Sequence, residues 1–393
     1  MQFSKMSMQK TFSLIARLSV VEFFLRGAKF LFFVLLANSV TKEIFGDYNY
    51  IAAWLAVIFV LSDLGITKRI TILVAKKEVR ISFLLLVRLV LFIFFAVIAL
   101  FFVHADILLY ILVAAIFLID SIFEMFFAIY RGSEQYAKEY STKFIIALLY
   151  FFVAIVLWWL KLDIYKAFIV LFGGYVAFLL VHISFVRRYV ATPLRIQGSI
   201  TKENLYLFLA LLFTMLYLRI DIIILGSLVD KSSVAEYSVA VKIVEVAMIV
   251  PSAISNVFLT KFVKYRTFQG SEFLFQVLAG IVLSLLFMLL APWIVELFFS
   301  RYDLSAYLAQ ILSVGILFIM INNYIFTKFI AKEQSYLYMW STLVMFMANL
   351  VLNLFFIPLY GIKAAALTTL ATEALGSGIA WMLWNHYGRK VTV

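Results

Sequence analysis

Apolar runs of about 20 residues, each closed by charge, glycine or proline, recur along nearly the whole chain, and a run of that length crosses the hydrocarbon core as a helix. They predict spans near residues 12–37, 44–66, 81–103, 106–130, 143–160 and 165–186, and again near 203–228, 234–260, 272–299, 306–327, 335–357 and 361–386. Twelve helices in 393 residues leave no room for a large extramembrane catalytic domain. The polar stretch 187–202, with Pro193 and Gly198, is the longest connection and divides the chain into 1–186 and 203–393, six helices to a side. The expected fold class is all-α and polytopic.

Composition agrees with the pattern: 66% of residues are hydrophobic and 14% charged, against roughly 25% charged in soluble domains. Met1 to Lys10 is short and basic, but the apolar stretch after it contains Glu22, Arg26 and Lys29 and ends without a small-residue cleavage site. It reads as a retained first helix.

The formal charge of +12 would suggest nucleic acid in a soluble protein. Its distribution points elsewhere, and no nucleic-acid partner is expected. The N-terminus, the even-numbered loops and the C-terminus hold 21 basic residues, among them Lys5, Lys77, Arg80, Arg131, Lys143, Arg195, Arg266, Lys328, Arg389 and Lys390. The opposite side has six: Lys42, Lys161, Lys166, Lys231, Arg301 and Lys363. By the positive-inside rule both termini are cytoplasmic.

The halves echo each other. Val40-Thr-Lys-Glu-Ile-Phe-Gly-Asp-Tyr48 returns 189 positions later as Val229-Asp-Lys-Ser-Ser-Val-Ala-Glu-Tyr237, and Leu162–Ala167 returns 197 positions later as Leu359–Ala364. Both echoes preserve helix number and sidedness, as parallel repeats about an axis along the membrane normal do.

A charge at the centre of a spanning helix costs about 2.5–3.5 kcal/mol, so such residues face protein or water and mark pathways. Glu22, Arg26 and Lys29 share one face of the first helix, which is expected to point into the bundle. Arg88, Asp120, Glu124, Arg219, Asp221, Lys242, Glu245 and Glu373 complete the set, while Arg17 lies near the inner interface. Arg26, Lys29, Arg88, Arg219 and Lys242 are the candidate substrate-binding residues. Glu22, Asp120, Glu124, Asp221, Glu245 and Glu373 are candidates for ion coupling or charge pairing. A structural reading stands beside this one, with Glu22 paired to Arg26, Lys242 to Glu245, and Asp120 with Glu124 sharing a proton or capping neighbours. Asn349 and Asn353, at i and i+4, suit interhelical hydrogen bonds, and Pro251 and Pro292 interrupt helices.

Several chemistries lack their residues. There is no cysteine, and His104, His182 and His386 have no metal-ligand spacing. No phosphate-binding loop, zincin motif or nucleophile elbow occurs. No metal, cofactor or catalytic residue is expected.

Arg26-Gly-Ala-Lys29, Phe45-Gly-Asp-Tyr48, Ser62-Asp-Leu-Gly65, Arg219-Ile-Asp-Ile-Ile-Ile-Leu-Gly226 with Glu236-Tyr237 and Pro251, and Asn349-Leu-Val-Leu-Asn353 with Ile357-Pro-Leu-Tyr-Gly361 and Lys363–Ala366 resemble the polysaccharide flippases. The nearest branch is the O-antigen flippases, within the multidrug, oligosaccharidyl-lipid and polysaccharide exporter superfamily. The resemblance implies a V-shaped pair of six-helix bundles around a central cavity in a bacterial inner membrane. It implies alternating access on a polyprenyl-diphosphate-linked oligosaccharide such as a lipopolysaccharide repeat unit, among membrane lipids and other polysaccharide-assembly membrane proteins. It also implies cavity cations, which Arg26, Lys29, Arg219 and Lys242 match by position. A drug or organic-cation antiporter of the same superfamily and a membrane-embedded polysaccharide polymerase are the other readings.

Overall fold

The computed structural model describes residues 8–76, 82–190, 202–265 and 270–388. Lys5, Lys77, Arg80, Arg195, Arg266, Arg389, Lys390 and most of the expected linker 187–202 lie outside the described residues. The helices are α1 (Met8–Ser39), α2 (Lys42–Asp63), α3 (Ile66–Ala75), α4 (Ser82–Ala99), α5 (Ile107–Gly132), α6 (Tyr136–Leu160) and α7 (Ile164–Val190). They continue as α8 (Lys202–Leu228), α9 (Lys231–Ala247), α10 (Ile249–Tyr265), α11 (Gly270–Phe298), α12 (Asp303–Ala331), α13 (Ser335–Tyr360) and α14 (Ile362–Leu383), ending in a π-helical turn at Trp384–Gly388. Among the described residues there is no strand.

Each predicted span overlaps helix among the described residues, and the all-α, polytopic reading holds. Among the described residues nine helices, α2, α4 to α8 and α11 to α13, are long and apolar enough to cross a bilayer. The others differ for local reasons. The short amphipathic α3 has 10 residues, and α14 replaces bulk with Ala, Thr and Gly. The eighth span is two helices of 17 residues each. Pro251 lacks an N–H and its ring crowds the carbonyl four residues back, and α9 ends at that residue, Ala247. Pro292 by contrast lies inside a continuous α11. The carbonyl it leaves without its helical donor, that of Met288, accepts from the Gln310 side chain on α12 at 3.3 Å.

Four helix starts on the side expected to face outward carry side-chain caps, whereas those of α12 and α14 do not. Thr41 accepts from the Ile44 N–H, Asp106 from Leu109, Asp163 from Lys166 and Asp230 from Ser233. Each oxygen satisfies an N–H that the first helical turn leaves without a partner. On the other side, two turns repeat one geometry at a spacing of 199 residues. Glu134 and Glu333 are left-handed, with φ of 58° and 56°. The next residues, Gln135 and Gln334, donate their N–H to Tyr130 and Phe329, both at 2.8 Å.

Packing sorts the chain into two compact units. The first comprises Met1–Val40, Ile66–Phe94 and Ile111–Gln197. Its α1 packs along α6, with Phe32 edge-on to Tyr150 and Phe168 at 5.5 and 5.9 Å. The second comprises Thr41–Gly65, Phe95–Tyr110 and Gly198–Val393. There α8 packs on α13, α12 on α11 and α14, and α2 on α8 and α9. An aromatic cluster of Phe262, Tyr324, Phe329 and Trp384 fills one end of that unit's core.

Candidate functional site

In the first unit, the face of α1 with Ala28, Phe32 and Leu36 is buried, leaving its charged face open. Arg26 is exposed and has no ion-pair partner among the described residues. Lys29, 43% exposed, lies 3.9 Å from Asp120 and 5.1 Å from the centre of the Tyr150 ring. Glu22 pairs with Lys143 on α6 rather than with Arg26. Lys143 reaches Glu22 from the neighbouring helix.

Lys143 continues the chain of charge. It is 3.0 Å from Glu139, which is 3.7 Å from Arg131, itself 3.6 Å from Glu124. Glu124 therefore takes Arg131 as its ion partner, and Asp120 takes Lys29; the proton-sharing pair between Asp120 and Glu124 is not formed. Arg88 is buried at 1% exposure and hydrogen-bonded to Thr67 on α3, within electrostatic reach of Glu124. In this conformation its guanidinium ties α3 to α4 and offers no surface to a solute.

The second unit holds an ion triad. Glu245 on α9 receives Lys242 at 2.7 Å and Arg219 of α8 at 3.1 Å, each on a different oxygen. The expected Lys242–Glu245 pair forms, and the additional guanidinium gives the triad a net positive charge. All three side chains keep between a quarter and about a third of their surface open.

Deeper in this unit two carboxylates are buried with no cation at ion-pair distance among the described residues. Asp221 on α8 accepts from Tyr237 on α9, from its neighbouring Ile222 N–H at 2.9 Å and from Thr369 on α14 at 3.4 Å. Glu373 on α14 accepts from the Asn322 amide on α12 at 2.9 Å. Burial of a carboxylate is costly unless donors replace its water, and four helices converge to supply them. Between the acids runs a polar thread. Tyr217 meets Thr372 at 3.2 Å, Thr372 meets Asn349 at 3.3 Å, Asn349 meets Asn353 at 2.8 Å, and Asn353 accepts from Thr368. The two asparagines do bond between helices, as their spacing suggested.

The profile of the polysaccharide biosynthesis protein family matches residues 14–260. The chain belongs to that family. Solved structures of transporters share its fold. The lipid II flippase MurJ in an inward closed conformation is 18% identical, with a TM-score of 0.67 over 93% of this chain and 87% of that one. An outward-facing multidrug resistance MATE family transporter is 15% identical, with a TM-score of 0.66 over 96% of each chain. A MOP superfamily transporter from Pyrococcus furiosus, whose binding pocket is described as reversed in polarity, is 14% identical with a TM-score of 0.61, again over 96% of each chain. No curated protein sequence matches the chain.

Within this family member, several partners were not singled out from the sequence. Arg131 and Lys143 were counted as loop cations of the inner side, yet they neutralise Glu22, Glu124 and Glu139. The i, i+4 spacing of Glu139 and Lys143 was a usable signal. The donors to the buried acids, Tyr237, Asn322 and Thr369, gave none, because a neutral side chain on a distant helix has no sequence mark.

Proposed function

We propose that this protein flips a polyprenyl-diphosphate-linked oligosaccharide, an O-antigen or similar surface-polysaccharide repeat unit, from the cytoplasmic to the periplasmic leaflet of a bacterial inner membrane. The mechanism is alternating access between two six-helix repeats, 1–186 and 203–393, joined by the linker 187–202. The observation that carries this reading is the open face of α1 that bears Arg26 and Lys29. Facing hydrocarbon they would cost about 2.5–3.5 kcal/mol each; facing water they are a landing site for an anionic headgroup. Arg219 and Lys242 supply the matching excess of positive charge in the second repeat. Arginine takes two phosphate oxygens at once, so Arg26 and Arg219 hold the diphosphate, Lys29 and Lys242 add charge, and the prenyl tail stays in lipid. Asp120 and Glu245 balance Lys29, Arg219 and Lys242 when the site is empty, while Glu22 and Glu124 pair with Lys143 and Arg131.

Asp221 and Glu373 take the coupling role, binding a proton or Na⁺ whose release is tied to the conformational step. Arg88 serves by position only. The same two acids also favour a second reading, export of organic cations by antiport.

Deletion of the gene in its own host tests the proposal. Loss of surface polysaccharide with accumulation of lipid-linked units on the inner face is expected, together with unchanged sensitivity to organic cations. Re-expression of Arg26→Ala or Arg219→Ala at normal protein level should restore display only weakly. Normal display from both variants would refute the assignment, and drug sensitivity without a polysaccharide defect would favour antiport. Transport unaffected by collapse of both ion gradients would remove the coupling role.

A further inference from the structure

The repeat that pairs Val40–Tyr48 with Val229–Tyr237 contains two charged matches, Lys42 with Lys231 and Asp47 with Glu236. These four residues are also ion partners, but crosswise. Lys42, the first residue of α2, lies 2.5 Å from Glu236 on α9, and Lys231, the first residue of α9, lies 3.5 Å from Asp47 on α2. Each repeat thus contributes a lysine to the other's acid, the contact pattern of two equivalent surfaces meeting about a two-fold axis.

The surroundings extend the exchange. Ser305 donates its N–H and its hydroxyl to Glu236 at 3.1 and 2.8 Å, fixing that carboxylate. Lys231 also donates to the Gly226 carbonyl at 3.0 Å and lies 3.5 Å from the centre of the Tyr50 ring. The backbones come close where side chains are missing: a Cβ on Gly46 would strike the Lys231 carbonyl, and one on Gly226 would strike the Tyr50 ring.

We propose that Lys42–Glu236 and Lys231–Asp47 form a two-point clasp that holds α2 against α9 on the side assigned to the exterior, and that both pairs part when that side opens. Charge and glycine suit a contact that must be remade many times, since ions released from each other are solvated by water whereas a parted apolar seam is not. Two of the four side chains, those of Lys42 and Asp47, keep at least a quarter of their surface open, so water can reach them as the helices separate. The clasp rests on the alternating-access reading for its purpose, not for its geometry.

The chain has no cysteine, so Glu43→Cys with Ser232→Cys, equivalent positions of the two repeats beside the clasp, gives two sites for spin labels in the full-length protein in liposomes. Double electron–electron resonance should then report mainly a short distance. Lys42→Gln and Lys231→Gln should each raise the ratio of long to short distances about five-fold, the effect of losing one modest ion pair, and together they should raise it further. Asp47→Lys with Lys231→Asp, which exchanges the partners, should return the distribution toward that of the parent. A doubly neutralised protein with the parent's distances, or an exchanged protein that melts normally yet stays long, would overturn the clasp. The readout needs no substrate. Distances that respond in a protein whose deletion leaves surface polysaccharide intact would uphold the clasp while removing the transport reading.

Discussion

Asn322 on α12 holds its side-chain amide 2.9 Å from the carboxylate of Glu373 on α14, in the interior of the second unit. No cation accompanies them among the described residues, so the acid keeps its place through neutral donors. Glu373→Gln retains the shape and most of the hydrogen bonding, and it should fold and melt like the parent while losing polysaccharide display. Glu373→Ala orphans the amide, a loss of about 1–3 kcal/mol, and should lower the melting temperature in detergent as well. Full display by the glutamine variant would exclude Glu373 from coupling.

Lys143 is the shared cation of the first unit, serving Glu22 and the buried Glu139. Lys143→Met leaves Glu139 with only Arg131, and removing one member of a buried pair costs about 3 kcal/mol or more. Glu139→Gln in the same chain should recover much of that loss, because the stranded charge is then gone. Equal melting temperatures for the single and double variants would show that Arg131 alone suffices.

The contrast between those two sites shows how far the sequence could be read. Spans are legible because bilayer thickness fixes a length of apolar residues, and all twelve overlap helix, nine of them long and apolar enough to cross a bilayer among the described residues. Sidedness is an expectation from the lysine and arginine count alone, whereas the break in the eighth span follows from Pro251. The charged members of the site were visible because Arg26 or Asp221 stands out against Leu and Phe. Their pairing was not, since Glu22 to Lys143 and Asn322 to Glu373 depend on which helices pack side by side. Helical periodicity names the neighbours within one helix only, which is why Lys242 with Glu245 was found and Asp120 with Lys29 was not.

Gly46 tests the close approach of α2 and α9. A methyl group there has no flexible neighbour to displace, since it meets the Lys231 backbone carbonyl. Gly46→Ala should therefore cost about 1–3 kcal/mol as overpacking, or be relieved by separation of the two helices. A thermal shift with no change in label distance supports the first outcome, and a long distance at normal stability supports the second. An alanine variant identical to the parent in both would show that the two backbones are further apart than this contact requires.

Gln310 offers the sharpest local test because its partner exists only on account of a proline. Pro292 has no N–H for the Met288 carbonyl, and Gln310 on α12 donates to that oxygen at 3.3 Å. In a spanning segment water does not reach a stranded carbonyl, and each unsatisfied backbone group there is expensive. Gln310→Leu should lower stability by about 1–2 kcal/mol. Pro292→Ala restores a helical donor to Met288, so Gln310→Leu in that background should cost little, and the difference between the two costs isolates the pair. Equal costs in both backgrounds would mean that Gln310 contributes by packing alone and that α11 tolerates its proline without help from α12.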